Sequence, residues 1–485
     1  MKIFIFCLLL LFICLDNTQA QKKVLKTIDQ EVSQAQLESH INFIASDELL
    51  GRNTGTQENA IVTRYIAEQF RKFGLIKPPG YNSYLQAFPL RKITPLSSGF
   101  IKVKDSTYAI WDQLVMKGND LNATATMMFV DSDNLEVNLE NMKDKIVFFH
   151  VPRNELSKAR NLIAKEKPLS MIGLIRDFGI WPGLVNSWSS HRTLAYNVNT
   201  FGVRDGYLLD SREISQIPFL TKNSGSKANI NLVGGSIGLA TASNVLGIVE
   251  GSDPLLKNEY VIVSAHLDHI GYARGISIGE DSIYNGARDD GIGTGNLLLA
   301  AEYFAKHPSK RSIIFLAANA EEKGLVGSKW YVENPALPLK SIIANINTDT
   351  DGYNDTSSFR ITGLNKTTME DLFLITGTTY NLKVYDDETV IPNQNLYRRS
   401  DNFSFANKGI PSVTFAPGAT SWDEEIEKYY HQTADNPETL NYTYLTKLSK
   451  AFIYSIYLVA NAEERPFWVE GDEFEEAGKA LYGME

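Results

Sequence analysis

The chain is nearly without cysteine. Of its 485 residues only two are Cys, and both, Cys7 and Cys14, fall in the first twenty. A mature chain without them has no disulfides, so stability must rest on core packing and on any bound metal. Basic charge is scarce too: 47 Lys and Arg stand against 57 Asp and Glu, a formal net charge of −10, and the positive residues do not cluster. Phosphate binding needs a basic face, which excludes nucleic acid as an expected partner. An apolar run long enough to span a bilayer is also lacking. The N-terminal "MKIFIFCLLLLFICLDNTQAQ" has one Lys, an apolar stretch from Ile3 to Leu15 and the small residue Ala20, against the roughly 20 residues a transmembrane helix requires. Its shape is that of a signal peptide cleaved after Ala20. Bulky Ile13 ahead of Cys14 speaks against lipid attachment. The expected product is therefore exported, periplasmic or extracellular, with no stable membrane insertion after cleavage.

What is present is an ordinary globular composition, 43% apolar and 21% charged, in a chain long enough for two domains or for one domain with an insertion. After residues 1–20, a helical part is expected over 21–96. There "LESHINFIASDELLG" and "IVTRYIAEQFRKFGL" have helical apolar spacing and stop at Gly51 and Gly74. Over 97–235 the texture changes to short strand-like runs such as "TATMMFVD" and "DKIVFFHV", an inserted β-rich module. From 236 to 465 strands alternate with helices: "YVIVSAHLDHIG", "GTGNLLLAAEYFAKH", "RSIIFLAANA", "SIIANINTDT". Alternation of this kind predicts an α/β unit, a mostly parallel mixed sheet with helices on both faces. The tail, 466–485, is acidic and is expected to be loosely held.

In such sheets ligands collect where strands end, and here the apolar runs end on a repeated kind of residue. "YVIVSA" runs into His266-Leu267-Asp268, "RSIIFLAANA" into Glu321-Glu322, and "SIIANINT" into Asp349; Asp289-Asp290 precede a glycine-rich helix start, and His431 follows late in "EKYYHQTADNP". Each has a plain reading alone. Asp289 suits a helix N-cap, His266 a satisfied interior histidine, Asp349 a turn before Gly352, and His431 carries no signal by itself. Together they are a buried acidic cluster, which costs several kcal/mol per ion unless positive charge compensates. No Lys or Arg occupies the acidic positions, and Arg288 and Lys323 are only sequence neighbours. Divalent cations compensate better. Two His and three carboxylates suit a pair of zinc ions sharing one carboxylate. The glutamate doublet then divides labour, one side chain holding metal and the other taking a proton from water and passing it to a leaving amine. Asp268, two residues after His266 on the same strand face, is placed to accept the other ring N–H of that histidine.

These segments resemble the M28 family of zinc peptidases, the di-zinc aminopeptidase and glutamate-carboxypeptidase-like group. The resemblance is carried by "SAHLDHIG", "SIYNGARDDGIGTG", "NAEEKGLVGS", "INTDTDG", "RRSDNFSFANKGIPSVTF" and "YYHQTADNP", in family order over roughly Asn244 to Val459. It implies that His266 and Asp349 hold one zinc, Glu322 and His431 the other, and Asp289 bridges them. It implies Glu321 as general base, Asp268 beside His266, Tyr430 as the group polarising the scissile carbonyl, and a cis peptide at Asp289–Asp290. The insert, with "KDKIVFFHV" and "SQIPFLTKN", resembles a protease-associated (PA) domain. Two departures stand out: Asn319-Ala320 where many relatives have a glycine before the glutamates, and "NTDTDG" in place of more apolar residues.

The leading expectation is an exported metallo-aminopeptidase acting on peptides. A carboxypeptidase is the alternative, with Arg398 and Arg399 available for a substrate carboxylate. Glutaminyl cyclisation uses one zinc and leaves a full two-metal set without purpose, and a non-catalytic binding protein on this scaffold is expected to have lost ligands, whereas none is missing here.

Overall fold

The computed structural model describes residues 21–176, 181–188, 192–195, 204–210, 215–272 and 281–484. The expected signal peptide, 1–20, lies outside the described residues. Two compact units emerge. Among the described residues, one comprises 21–88, Ala242–Tyr272 and 281–484; the other lies within Pro89–Thr241.

In the first unit the strands lie in the order Lys383–Asp386, Ser358–Thr362, Ser412–Pro417, Ile342–Thr348, Tyr260–His266, Ser312–Ala318 and Ser236–Val249, with Leu85–Thr94 beyond. Tyr260–His266 is parallel to both of its neighbours, and Ile342–Thr348 is parallel to Ser412–Pro417, while Ser236–Val249 and Ser358–Thr362 join antiparallel. This is the mostly parallel mixed sheet that the alternation implied. Ser312–Ala318 and Ile342–Thr348 are buried at every position, because helices cover both faces. With period two, Val261, Val263, Ile313 and Phe315 pack on one face with Ile41, Leu297 and Phe452. Ile262, Ile314 and Leu316 face the other way, against Tyr331 and Phe405.

The helices begin and end on their sequence signals. Gln34–Ile44 opens on a capping box of Ser33 and Gln36, and Gln57–Phe73 is capped by Thr56 and stopped by Gly74 at φ 83°. No described helix is long and apolar enough to cross a membrane.

The second unit is a mixed sheet in the order Ser106–Ala109, Ser98–Val103, Lys227–Val233, Leu121–Asp131, Ile146–His150, Ser170–Ile175, Arg204–Leu209 and Leu114–Lys117. Its middle strands are parallel. Its bounds lie outside the expected 97–235 because Leu85–Thr94 and Ser236–Val249 each run unbroken from one unit into the other, so strand texture does not mark the boundary. The acidic tail is not loosely held. Trp468 and Phe474 are buried with Tyr397 and Ala406, the Trp468 indole donates to Gly409 O at 2.9 Å, and Glu475–Tyr482 is a helix. Net acidity hid an aromatic anchor.

Candidate metal centre

The parallel register sets the centre out. His266 pairs with Ala318 and Ser264 with Asn347, so His266, the Glu321–Glu322 turn and Asp349 emerge at the same edge of three adjacent strands. Asp289 comes from the loop ahead of the helix Gly293–Lys306, and His431 from the loop after Glu424–Glu427.

The predicted ligands converge. His266 Nε2 lies 3.1 Å from Asp289 Oδ1 and 3.3 Å from Asp349 Oδ1. His431 Nε2 lies 3.1 Å from Asp289 Oδ2 and 3.5 Å from Glu322 Oε1. Asp289 thus turns one oxygen to each histidine. Donors bound at about 2.0–2.2 Å to one ion stand about 3 Å apart, so these separations suit a cation in each half. Two groups of three donors, His266–Asp289–Asp349 and His269–Asp289–Glu322, each lie within 4.8 Å.

His269 was not foreseen. It is fully buried, with Nδ1 at 2.8 Å from Glu322 Oε1 and 3.9 Å from Asp289 Oδ1. Neither ring nitrogen, nor Glu322 Oε1, has an aligned hydrogen-bond partner among the described residues. An imidazole nitrogen and a carboxylate oxygen so close, without an aligned hydrogen bond, form a nitrogen–oxygen pair suited to holding a cation. The motif "HLDH" contained the signal; only the bend after the strand shows where its second histidine points.

Capping is assigned to the other aspartate of the pair. Asp290, not Asp289, accepts from Gly293 N at 3.0 Å and from His266 N at 3.1 Å. Gly293 must lack a side chain, since a Cβ would lie 2.2 Å from Asp290 Oδ1. Asp289 is left for the centre, and the Asp289–Asp290 peptide is cis.

Asp268 departs from its expected contact. His266 Nδ1 is 3.2 Å from the backbone carbonyl of Asp268 and 3.9 Å from its carboxylate. The strand ends at His266, so two-residue alternation no longer governs Asp268. Its carboxylate instead accepts from Thr54 Oγ1 at 2.8 Å and from Glu321 N at 3.0 Å. A comparable support holds Asp349, whose second oxygen accepts from Ser400 Oγ, while Ser400 in turn accepts from Asn347 Nδ2 at 2.7 Å.

Two arginines do enter the cluster. Arg52 is fully buried among carbonyls of the ligand loops, and Arg288 pairs with Asp435 at 3.1 Å. They do not offset the carboxyl groups of Asp268, Asp289, Asp290, Glu321, Glu322, Asp349, Asp401 and Asp435, and the excess negative charge still calls for divalent cations.

Burial alone pushes the carboxyls up, and their neighbours decide which remain there. Glu321, half-buried on the cleft wall, is raised well above the usual carboxylate range by desolvation. Burial would raise Asp289 as well, but bonds from His266 and His431 hold it well below. Glu322, against the same desolvation and the charge of Asp289, is brought to about 2 by His269 and His431. The two glutamates therefore differ as a proton acceptor and a ligand should.

Tyr430 stacks on His431 with ring centroids 4.0 Å apart, and its hydroxyl accepts from Arg399 Nη2 at 2.8 Å, which leaves its own proton free to donate. Arg399 and Tyr430 line the cleft together with the metal-site residues, Thr350, Asp351, Thr362 and Leu396. Arg398 does not line it and pairs with Glu473.

Residues 244–456 match Peptidase family M28. Aminopeptidase YwaD of Bacillus subtilis is 26% identical over 295 residues, 56% of this chain and 60% of its own; the chain thus spans about three fifths of that relative. A probable leucine aminopeptidase 2 of Aspergillus oryzae is 30% identical over 249 residues, 46% of this chain and 45% of its own. Among solved structures, an aminopeptidase from Aneurinibacillus sp. strain AM-1 has a TM-score of 0.60 at 19% identity, covering 90% of this chain and 96% of that one. A zinc aminopeptidase from Bacillus subtilis gives 0.55 at 18%, covering 90% and 97%; both share the fold. The likeness to peptidase family M28 thus runs through residues 244–456, the stretch that holds His266, His269, Asp289, Glu321, Glu322, Asp349 and His431.

Proposed function

We propose that this chain is an exported zinc exopeptidase that removes N-terminal residues from peptides. One observation carries the reading: two donor groups share Asp289, and Glu321 lines the same cleft beside them. The donor set, nitrogen from His with oxygen from Asp and Glu, suits zinc, and the relatives are named as aminopeptidases.

His266 and Asp349 would hold one zinc, Glu322 and His431 the other, with Asp289 between them. When bound, zinc supplies Lewis acidity that polarises a carbonyl and lowers the pKa of water from 15.7 toward about 7. Glu321 takes the proton of the attacking water as the new C–O bond forms, then gives it to the amine as the C–N bond breaks. A cation nearby would favour the ionised form of Glu321, the form that can accept a proton. Tyr430, kept protonated by its burial, donates to the carbonyl oxygen. Asp268 holds the backbone of Glu321 in place. The inserted unit we read as a protease-associated module.

The carboxypeptidase reading keeps one supporting observation, Arg399 on the cleft wall. A panel of aminoacyl-anilides and N-blocked dipeptides, with and without chelator, separates the two. Chelator-sensitive cleavage of substrates with a free amine supports the aminopeptidase; cleavage only of those with a free carboxylate transfers the assignment to the alternative.

A further inference from the structure

Gly51–Asn59, "GRNTGTQEN", lies outside the residues that match the family, yet its side chains run to the loops that carry the ligands. We propose that this segment is an outer brace of the metal centre, in which Arg52 positions the bridging Asp289 and Thr54 positions the base Glu321. The inference rests on the metal-site reading above.

Arg52 is fully buried, at a left-handed φ of 38°. Its guanidinium donates to Leu267 O at 3.1 Å, Ile44 O at 3.4 Å, Gly286 O at 2.8 Å and Asp289 O at 3.1 Å, and also to Asn285 O. No carboxylate is among these partners. The planar fork is thus used on backbone, and the charges that offset it are those of Asp289, Asp268, Asp290 and Asp435. A cation with this set of acceptors fixes the loop from which Asp289 projects. Gly51 allows the approach: a Cβ there would lie 2.2 Å from Gly271 O.

Thr54 acts on the other half of the chemistry. Its hydroxyl holds Asp268 Oδ2, and Asp268 Oδ1 holds the backbone N–H of Glu321, a relay two bonds long from the brace to the base. Asn59 and Asn319 form a reciprocal amide pair at 3.1 and 3.0 Å, and Asn319 Oδ1 also accepts from Ala320 N at 2.9 Å. Asn319, ahead of Ala320 and the glutamate pair, therefore has its counterpart in Asn59. Asn53 completes the set, donating to Ile270 O at 2.7 Å beside His269. A segment that only filled space would present apolar groups; this one sends polar groups to the loops at 267–270, 285–289 and 319–321.

The test uses the full zinc-loaded chain carrying Thr54→Val, Thr54→Ser, Asn59→Ala or Arg52→Lys. Zinc affinity is read by competition with a chromogenic chelator, stability as Tm, and turnover as kcat and KM separately. Thr54→Val is expected to lower kcat by ~10–100-fold, the range typical of residues supporting a metal site, with KM, zinc affinity and Tm near parental values, and Thr54→Ser is expected to restore it. Asn59→Ala should lower kcat in the same sense. Arg52→Lys keeps charge and stem but loses the fork, and should weaken zinc binding by ~10–100-fold; this arm needs no substrate, so it reports on the brace apart from the peptidase reading. Parental kcat in Thr54→Val together with parental zinc affinity in Arg52→Lys would overturn the proposal. So would a kcat loss that follows Tm and is not restored by serine.

Discussion

His266 and Asp349 stand at the ends of adjacent parallel strands, whereas Glu322 and His431 stand on turns, and the two halves of the centre differ in how firmly they are held. The His266 side chain is 2% exposed and its strand is bonded on both sides. The His431 side chain is 35% exposed and its backbone sits at φ 54°, a conformation uncommon outside glycine. A strand end bound on both sides can hardly shift, while a loop residue is fixed only by what it touches. The strand half should therefore hold its cation more tightly, and the loop half should be the part that adapts to substrate. His269, buried and facing Glu322, is what gives the loop half a rigid wall.

The severest way to break this contrast is Asp289→Ala, which removes the one group both halves share. Zinc content should fall from two ions per chain toward none by elemental analysis, with activity down by at least ~10³-fold, as the loss of several kcal/mol of charge stabilisation implies. Glu321→Gln leaves both halves intact. It should bind zinc as the parent does and lose ~10²–10⁴-fold in kcat, the usual worth of a general base; full activity would remove Glu321 from that role. His431→Ala and His266→Ala sharpen the comparison directly. A chelator titration should show His431→Ala retaining one tightly held ion, while His266→Ala leaves only a weakly held one; equal losses would mean that the halves are alike. His269→Gln should weaken only the looser ion, by ~10–100-fold, measured in the same titration.

Smallest for catalysis is a change outside both halves. Burial lowers the pKa of His40 from 6.5 to about 4, and its Nδ1 lies 2.8 Å from the Tyr65 hydroxyl. Because the folded value lies below the unfolded one, the unfolded chain binds the extra proton between them. This contribution to stability is complete above about pH 6.5 and is lost as pH falls toward 4, by roughly 2–3 kcal/mol. His40→Gln, which cannot titrate, should flatten that part of the stability–pH curve in denaturant melts without altering activity at neutral pH.

His266, the Glu321–Glu322 pair and Asp349 were legible because each follows an apolar run, and in a parallel sheet the end of such a run is where the chain emerges at a binding edge, whereas Asp289 and His431 were reached through the family resemblance. A turn separates the neighbouring side chains of Glu321 and Glu322, so two roles could be expected of the doublet, but which residue takes which came from the family resemblance. Other features depended on where the chain bends. His269 was invisible as a participant since it lies beyond the end of the strand, and the same bend defeated the expected contact between Asp268 and His266. Arg52 lies 237 residues from Asp289 in sequence, and nothing in "GRNTG" announces five carbonyl acceptors. Asn319-Ala320 was noticed as a departure, but the partner of Asn319, Asn59, required the fold. The tail was misjudged because charge was weighed and Trp468 and Phe474 were not.

Asp435 has a consequence for how the cleft can open. It lies four residues after His431, and its carboxylate accepts from the backbone N–H groups of Arg288 and Asp289 at 3.0 and 3.3 Å. The strap bearing His431 is thereby pinned at one end to the loop bearing the bridging aspartate. Any displacement of His431 and its strap from the cleft would therefore pull on Asp289, the residue that the two donor groups share.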